Sequence, residues 1–436
     1  MSWQAFGRLR AAVWWRTWYR RGQIDLPCSK RVWNPAPDSR HMQIRTAVLH
    51  RLLSLFARGA SRAILGFAMV GAMPVAGFAQ GDDAEPRPWY ERIEFGGDFR
   101  SRYEGFYQDG RTTRHRNRFR LRLRIDSDIN DDTHLQIQIA SGDPGTPVST
   151  NQTFSSFFRP KPFNLDRANI AYNPGGARAL TLGIGKFGFP ITRTQMTWDD
   201  DLNVEGGYEQ VAWSPTERVG VKLVALQTVV NEVSSDQDSY MLAGYGEVSV
   251  AFGSHTFQVS VADYGFGNVD QVAVGRATGP LRSLLTNQVE RDAAGAITGL
   301  VSDVNMVDVI AQAELDTGRE GYPFRVLADV VRNIRAASNL DTGIWFEAEY
   351  GGSRRPRSYT LGYTYGWIEQ DAVLSPFMFS DIPGTNLQLH MITVAYVPLP
   401  NLTLDLTVHI TKQLEVPVGT PNSYLIRPHV AVIVRF

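Results

Sequence analysis

Cysteine is almost absent: Cys28 stands alone in 436 residues, so the chain can close no internal disulfide and build no cysteine metal site. An excess of one charge is also lacking, since Lys and Arg total 44 and Asp and Glu total 44. That balance removes the electrostatic footprint expected of a nucleic-acid binder. After Gln80 no apolar run is long enough for a membrane helix, which excludes a helical membrane protein. A β-barrel escapes this test, because alternating residues average its hydropathy away. Disorder is excluded by what remains, an aromatic fraction of 11% and a charged fraction of only 20%.

The N-terminal region reads as an export signal. Arg45, His50, Arg51, Arg58 and Arg62 precede an apolar stretch from Ala63 to Ala79, with small residues at Gly77 and Ala79 and polar Gln80-Gly-Asp-Asp after them. A basic n-region, an apolar h-region and a small-residue exit describe a signal peptide cleaved near Ala79. A single membrane anchor is the competing reading, against which Pro74 and several glycines speak. Met42 is a candidate start. The expected organisation is therefore a non-native or mis-assigned extension at 1–41, a signal peptide at 42–79, a short linker at 80–90 and one β-domain at 91–436.

The most informative stretch is Arg116 to Ile129, RNRFRLRLRIDSDI. Arg116, Arg118, Arg120, Arg122 and Arg124 alternate with Phe119, Leu121, Leu123 and Ile125. A strict period of two is a β-strand with one charged and one apolar face. Such a strand suits either a soluble sheet wetted on one side or a transmembrane barrel. Arg92–Gln108 alternates similarly, with Phe95, Phe99 and Tyr103 opposite Asp98, Arg100 and Arg102. Further strands are expected near 134–140, 164–173, 179–187, 206–214, 219–231, 239–252 and 255–267. A second set follows near 305–317, 322–333, 341–351, 357–369, 387–398, 401–412 and 424–436. Alternation is poor at 206–214 and 239–252.

This makes about sixteen strands, and connection length separates the two readings. Turns after even strands are short, as at Asp131-Asp132, Gly175-Gly176 and Pro400-Asn401. Those after odd strands are mostly long, near 143–163, 188–205, 268–304 and 370–386. A soluble sandwich has no reason to alternate in this way, whereas an outer-membrane barrel has short periplasmic turns and long external loops. The chain ends IRPHVAVIVRF, placing Val430, Val432, Val434 and Phe436 on one face. A terminal aromatic after alternate apolar residues resembles the assembly signal of outer-membrane barrels. The fold class expected is all-β, a transmembrane antiparallel barrel.

Four segments, RIEFGGDFRSRY at Arg92–Tyr103, RNRFRLRLRID at Arg116–Asp126, FNLDRANIAY at Phe163–Tyr172 and LTLGIGKFGFP at Leu180–Pro190, resemble the bacterial outer-membrane putative porin family. The resemblance covers most of the chain after residue 90 and is strongest over its first third. It implies an outer-membrane, general-porin-like channel for passive diffusion, and it transfers no site residues. Partners implied are outer-membrane lipid and lipopolysaccharide, the barrel-assembly machinery, ions and small hydrophilic solutes, and a homotrimer by analogy of barrel size.

A barrel of this width leaves an aqueous bore unless plugged. The loop 188–205 carries Asp199, Asp200, Asp201 and Glu205. By analogy with general porins it folds inward, facing Arg100, Arg102, Arg116, Arg118, Arg120 and Arg122 to set a transverse field. A solvated acid run or a calcium site also fits Asp199–Asp201. Pairing with Asp98, Glu94 or Glu104 is the bland account of the arginines. The stretch 268–304 is open between a cap and a second constriction. A substrate-selective channel for anions or small organic solutes is the alternative. An outer-membrane enzyme is disfavoured, because His115, His134, His255, His390, His409 and His429 are scattered with no serine motif. No cofactor or metal is expected.

Overall fold

The computed structural model describes residues 89–154, 157–234, 236–277, 285–352 and 355–436, and the signal peptide, linker and N-terminal extension lie outside them. The described chain is a closed antiparallel barrel of 16 strands. The first quarter is β1 (Ile93–Gln108), β2 (Arg114–Asn130), β3 (Thr133–Ser141) and β4 (Phe163–Tyr172). The second quarter is β5 (Leu180–Gly188), β6 (Asn203–Thr216), β7 (Val219–Asn231) and β8 (Ser239–Phe252). β9 (His255–Gly267), β10 (Asn305–Leu315), β11 (Phe324–Asn333) and β12 (Thr342–Gly351) follow. β13 (Tyr359–Ile368), β14 (Leu387–Leu399), β15 (Leu402–Gln413) and β16 (Leu425–Arg435) complete the wall.

Each strand pairs with its sequence neighbour, and β16 returns to β1 with Phe99 opposite Val434 and Tyr103 opposite Val430. Closure leaves no edge strand exposed. Phe436 extends the seam: its carbonyl accepts from Gly97 N at 2.8 Å and its N–H donates to Gly97 O at 3.1 Å. Gly97 has to be glycine here. A Cβ at that position would stand 2.3 Å from Arg122 O and 2.9 Å from the Phe436 ring.

The alternation sorts the faces. Phe95, Phe99, Leu123, Leu182, Leu223, Leu404, Leu406 and Val432 are all exposed on the outside of the wall. So much contiguous exposed hydrocarbon would be costly in water, at roughly 25 cal/mol per Å², and it suits contact with lipid chains. On the opposite face of β1, Asp98, Arg102 and Glu104 are buried. No helix among the described residues is long and apolar enough to cross a membrane.

Connections after the odd strands, L1 to L8 in chain order, leave one rim, and the turns after the even strands lie at the other. L1 at 109–113 is shorter than the turn at 316–323, so the contrast in length rests mainly on L2, L3, L5 and L7. L2 spans 142–162, L3 189–202, L5 268–304 and L7 369–386. L3 is shorter than the sequence suggests because β6 starts at Asn203, so Glu205 lies on a strand and not in the loop. L5 is structured in its described part. It holds the helix α1 (Asp270–Ala277) and a small hairpin of Val289–Arg291 with Ile297–Leu300.

These loops fold into the barrel. Met196 and Trp198 of L3, Val272 and Leu300 of L5, and Leu374 and Phe377 of L7 form one buried apolar cluster with wall residues. Most of those wall residues, among them Leu226, Met241, Tyr264, Met306, Trp345 and Leu389, come from β7 through β14, with Phe187 added from β5. Where the loops pack, this half of the wall presents apolar side chains inward as well as outward. Poor alternation at 239–252 has the same origin, because Met241, Ala243 and Tyr245 of β8 meet the apolar filling while Leu242, Val248 and Val250 face outward.

Candidate functional site

The basic strand pair supplies one side of the interior. Register sets Asp98 opposite Arg122, Arg100 opposite Arg120, Arg102 opposite Arg118 and Glu104 opposite Arg116. Side chains on one face of an antiparallel pair are close enough to interact directly. Asp98 accepts from Arg120 Nη2 at 2.7 Å and from Arg122 Nε at 2.6 Å. Glu104, fully buried, pairs with both Arg102 and Arg116. Arg118 lies 3.5 Å from the same carboxylate and donates to Ser149 Oγ of L2 at 3.2 Å. Arg100 donates to Asn151 Oδ1 of L2 at 2.7 Å. β2 also gains a short strand from L2, Gln152–Thr153, opposite Arg118 and Phe119.

L3 and L7 face this ladder. Asp201 stands 3.4 Å from Arg122 and 3.9 Å from Arg120, and accepts Thr150 N at 3.1 Å and Thr150 Oγ1 at 2.9 Å. Asp199 turns away from the ladder and accepts Ser380 N at 2.7 Å and Asp201 N at 2.8 Å. Burial, reinforced by the nearby Asp201 charge, pushes its pKa up to about 7. Asp200 is exposed and pairs with Arg193 at 3.2 Å within L3. Glu205 pairs with Lys186 of β5 at 2.7 Å, apart from the arginines. Of the four acids expected to face the ladder, the structure brings only Asp201 into contact with it.

Three features were not read from the sequence. Asp381 of L7 binds Arg102 through Nη1 at 2.7 Å and Nη2 at 3.0 Å, a bidentate pair between residues far apart in the chain. Burial opposes its charge, but Arg102, His429 and Arg427 together hold its carboxyl well below the usual carboxylate range. Second, Arg427 and His429 of β16 and His409 of β15 join the basic side, with the imidazole centroids 4.6 Å apart. Alternation of 424–436 was the available signal, since it sets both Arg427 and His429 opposite the lipid-facing valines. Third, L3 is anchored on the far wall, where Thr197 donates to Asp308 of β10 at 3.1 Å and Thr194 bonds Asp329 of β11.

The interior is thus divided. Basic, hydrogen-bonded strands β15, β16, β1 and β2 form one side, and an apolar filling of L3, L5 and L7 occupies the other. The only three-residue grouping of potential metal donors among the described residues is Glu104, Asp381 and His429. Among the described residues of this arrangement, none are set as a nucleophile with its base and orienting group.

Comparisons with known proteins follow this geometry. No curated protein matches the chain. Among solved structures, the high-pH form of OprB from Pseudomonas putida superposes with a TM-score of 0.53 at 13% identity, covering 80% of this chain and 95% of that one. OmpF of Salmonella typhi, in complex with daunomycin, gives a TM-score of 0.47 at 10% identity over 79% of this chain and 97% of that one. The outer-membrane channel DcaP of Acinetobacter baumannii gives 0.45 at 12% identity over 79% and 97%. The first shares the barrel fold, and the other two are too loosely similar to add to it. Residues 107–294 match the family described as "Putative porin", the family that the strand motifs resemble.

Proposed function

We propose that the chain forms a water-filled channel in the bacterial outer membrane through which ions and small hydrophilic solutes diffuse passively. Arg100, Arg102, Arg116, Arg118, Arg120 and Arg122 line the path in this reading, and Asp201 on L3 narrows it. The observation that carries the reading is the contact of Arg122 with Asp201 at 3.4 Å, inside a closed porin-like barrel. It gives the interior a polar, charged strip of the kind that orders water and passes polar solutes. Planar-bilayer recording on the purified protein tests it: ohmic ion-conducting steps are expected, and a barrel that inserts but carries no current overturns it.

Solute selectivity beyond size is favoured by the apolar filling from L3, L5 and L7, which occupies part of the barrel interior. A homotrimer belongs to the same reading. The outside of the wall between β6 and β7 carries Glu209, which accepts Gln227 Nε2 at 2.9 Å amid exposed Leu182, Ile184 and Leu242. An acid facing lipid is costly, and a second copy packed there would cover it.

A further inference from the structure

The wall of β1, β2, β15 and β16 holds more donors and more positive charge than it satisfies. The Nε–H groups of Arg100, Arg102, Arg118 and Arg427 are buried without a hydrogen-bond partner. One carboxylate, Glu104, is shared among Arg102, Arg116, Arg118 at 3.5 Å and Arg427 at 3.8 Å. Asp381 serves Arg102 again and lies 3.6 Å from Arg427. Arg100 has the neutral Asn151 at 2.7 Å as its side-chain partner. Half-dry guanidinium groups short of counter-charge favour an anion with several acceptor oxygens.

Asp381 indicates which anion fits. It does not belong to the wall but reaches it from L7, and both its oxygens meet the Arg102 fork, at 2.7 Å and 3.0 Å. Arg427 also donates to its backbone carbonyl. Glu104, Asp381 and His429 place donor atoms within 4.8 Å of one another and so resemble a cation site. The four arginines around them already exceed these carboxylates in charge, so a divalent cation would be repelled.

We propose that this wall is a binding station for small organic carboxylates, and that Asp381 is a tethered carboxylate standing where a solute carboxylate binds. The channel reading supplies the route by which the solute arrives, and binding itself can be measured without it. Solute and Asp381 compete for the Arg102–Arg427 pair, while Arg100 and Arg118 supply further donors beside it.

Isothermal titration of the full chain in detergent, with malonate and acetate as carboxylates and glucose as the neutral control, tests the station. Malonate is expected to bind, and glucose is not. Asp381→Asn keeps the shape of the side chain and removes the competing charge, so it should tighten malonate about tenfold, the equivalent of one charged hydrogen bond. Arg100→Gln should weaken malonate by about the same factor. Equal heats for malonate and glucose, or malonate affinity unchanged in both variants, would overturn the proposal. A protein that binds malonate yet carries no current in a bilayer keeps the station and loses the channel. One that conducts without binding malonate keeps the channel and loses the station.

Discussion

The carboxylate of Asp199 accepts the backbone N–H of Ser380 at 2.7 Å, and with Asp199 N donating to Phe377 O at 2.8 Å this ties L3 to L7. Folding raises the Asp199 pKa from 3.8 to about 7, so its charged form is the disfavoured one. Its protonated form therefore stabilises the junction at acid pH. That stability is lost as pH rises from about 4 through about 7. Thermal melts followed by tryptophan fluorescence at pH 5 and pH 8 should show a lower midpoint at pH 8. Asp199→Asn should raise the pH 8 midpoint and shrink the difference. An unchanged difference in the variant would assign the pH dependence to other groups.

Neutralising the ladder should change ion preference. Glutamine at Arg118, Arg120 and Arg122 removes three positive charges and leaves Asp98 and Asp201 with fewer counter-charges. Reversal potentials across a salt gradient should move toward cations, with a permeability ratio shifted roughly threefold or more, the scale expected for charges beside a narrow aqueous path. An unmoved reversal potential would mean that the ladder serves only to hold the wall together.

Trp198 is 2% exposed and packs against Phe189 at 4.8 Å and Tyr264 at 5.2 Å between ring centroids. Truncation to alanine removes about 3–5 kcal/mol of packing, and the loss falls on L3 and not on the hydrogen-bonded wall. Trp198→Ala should keep its far-UV circular dichroism while single-channel conductance rises and becomes noisier. A variant with wild-type conductance would show that L3 is held without Trp198.

The seam closes the barrel through Gly97 and Phe436. Gly97→Ala forces a Cβ to within 2.3 Å of Arg122 O and against the Phe436 ring, so backbone must shift where β1, β2 and the C-terminal residue meet. A cost of about 2–3 kcal/mol is expected. The fraction of protein that resists unfolding in an unheated detergent gel should fall, and a wild-type fraction would show that the seam can flex.

Glu209 tests the subunit contact. Glu209→Leu removes an exposed acid from the outside of β6 and leaves Gln227 without its 2.9 Å partner. If a second copy covers this face, light scattering of the detergent-solubilised protein should show a larger monomer share in the variant. An unchanged mass would place the contact elsewhere.

Much of the wall could be read in advance because lipid outside and water or charge inside impose a period of two on β1, β2, β13 and β15. The ladder positions and the lipid-facing leucines follow from that parity alone. Inside β7 to β14 the signal weakens, since Leu226, Met241 and Tyr264 meet a greasy filling and not water. Glu205 was misplaced for a related reason: no breaker residue separates Asn203 from the strand, and β6 begins earlier than its alternation suggests. Asp381 could not be found at all. Its role depends on how L7 crosses the interior to Arg102, which no local pattern encodes.

The filling of one side by loops has a consequence for how such a channel can change. Sixteen strands fix the circumference, and in the channel proposed above the width of the free path would be set by how much L3, L5 and L7 occupy. Bore and wall are separate inheritances within a single chain. In that reading, loop residues such as Trp198 and Phe377 can be exchanged to suit a different cargo while the strand register stays as it is.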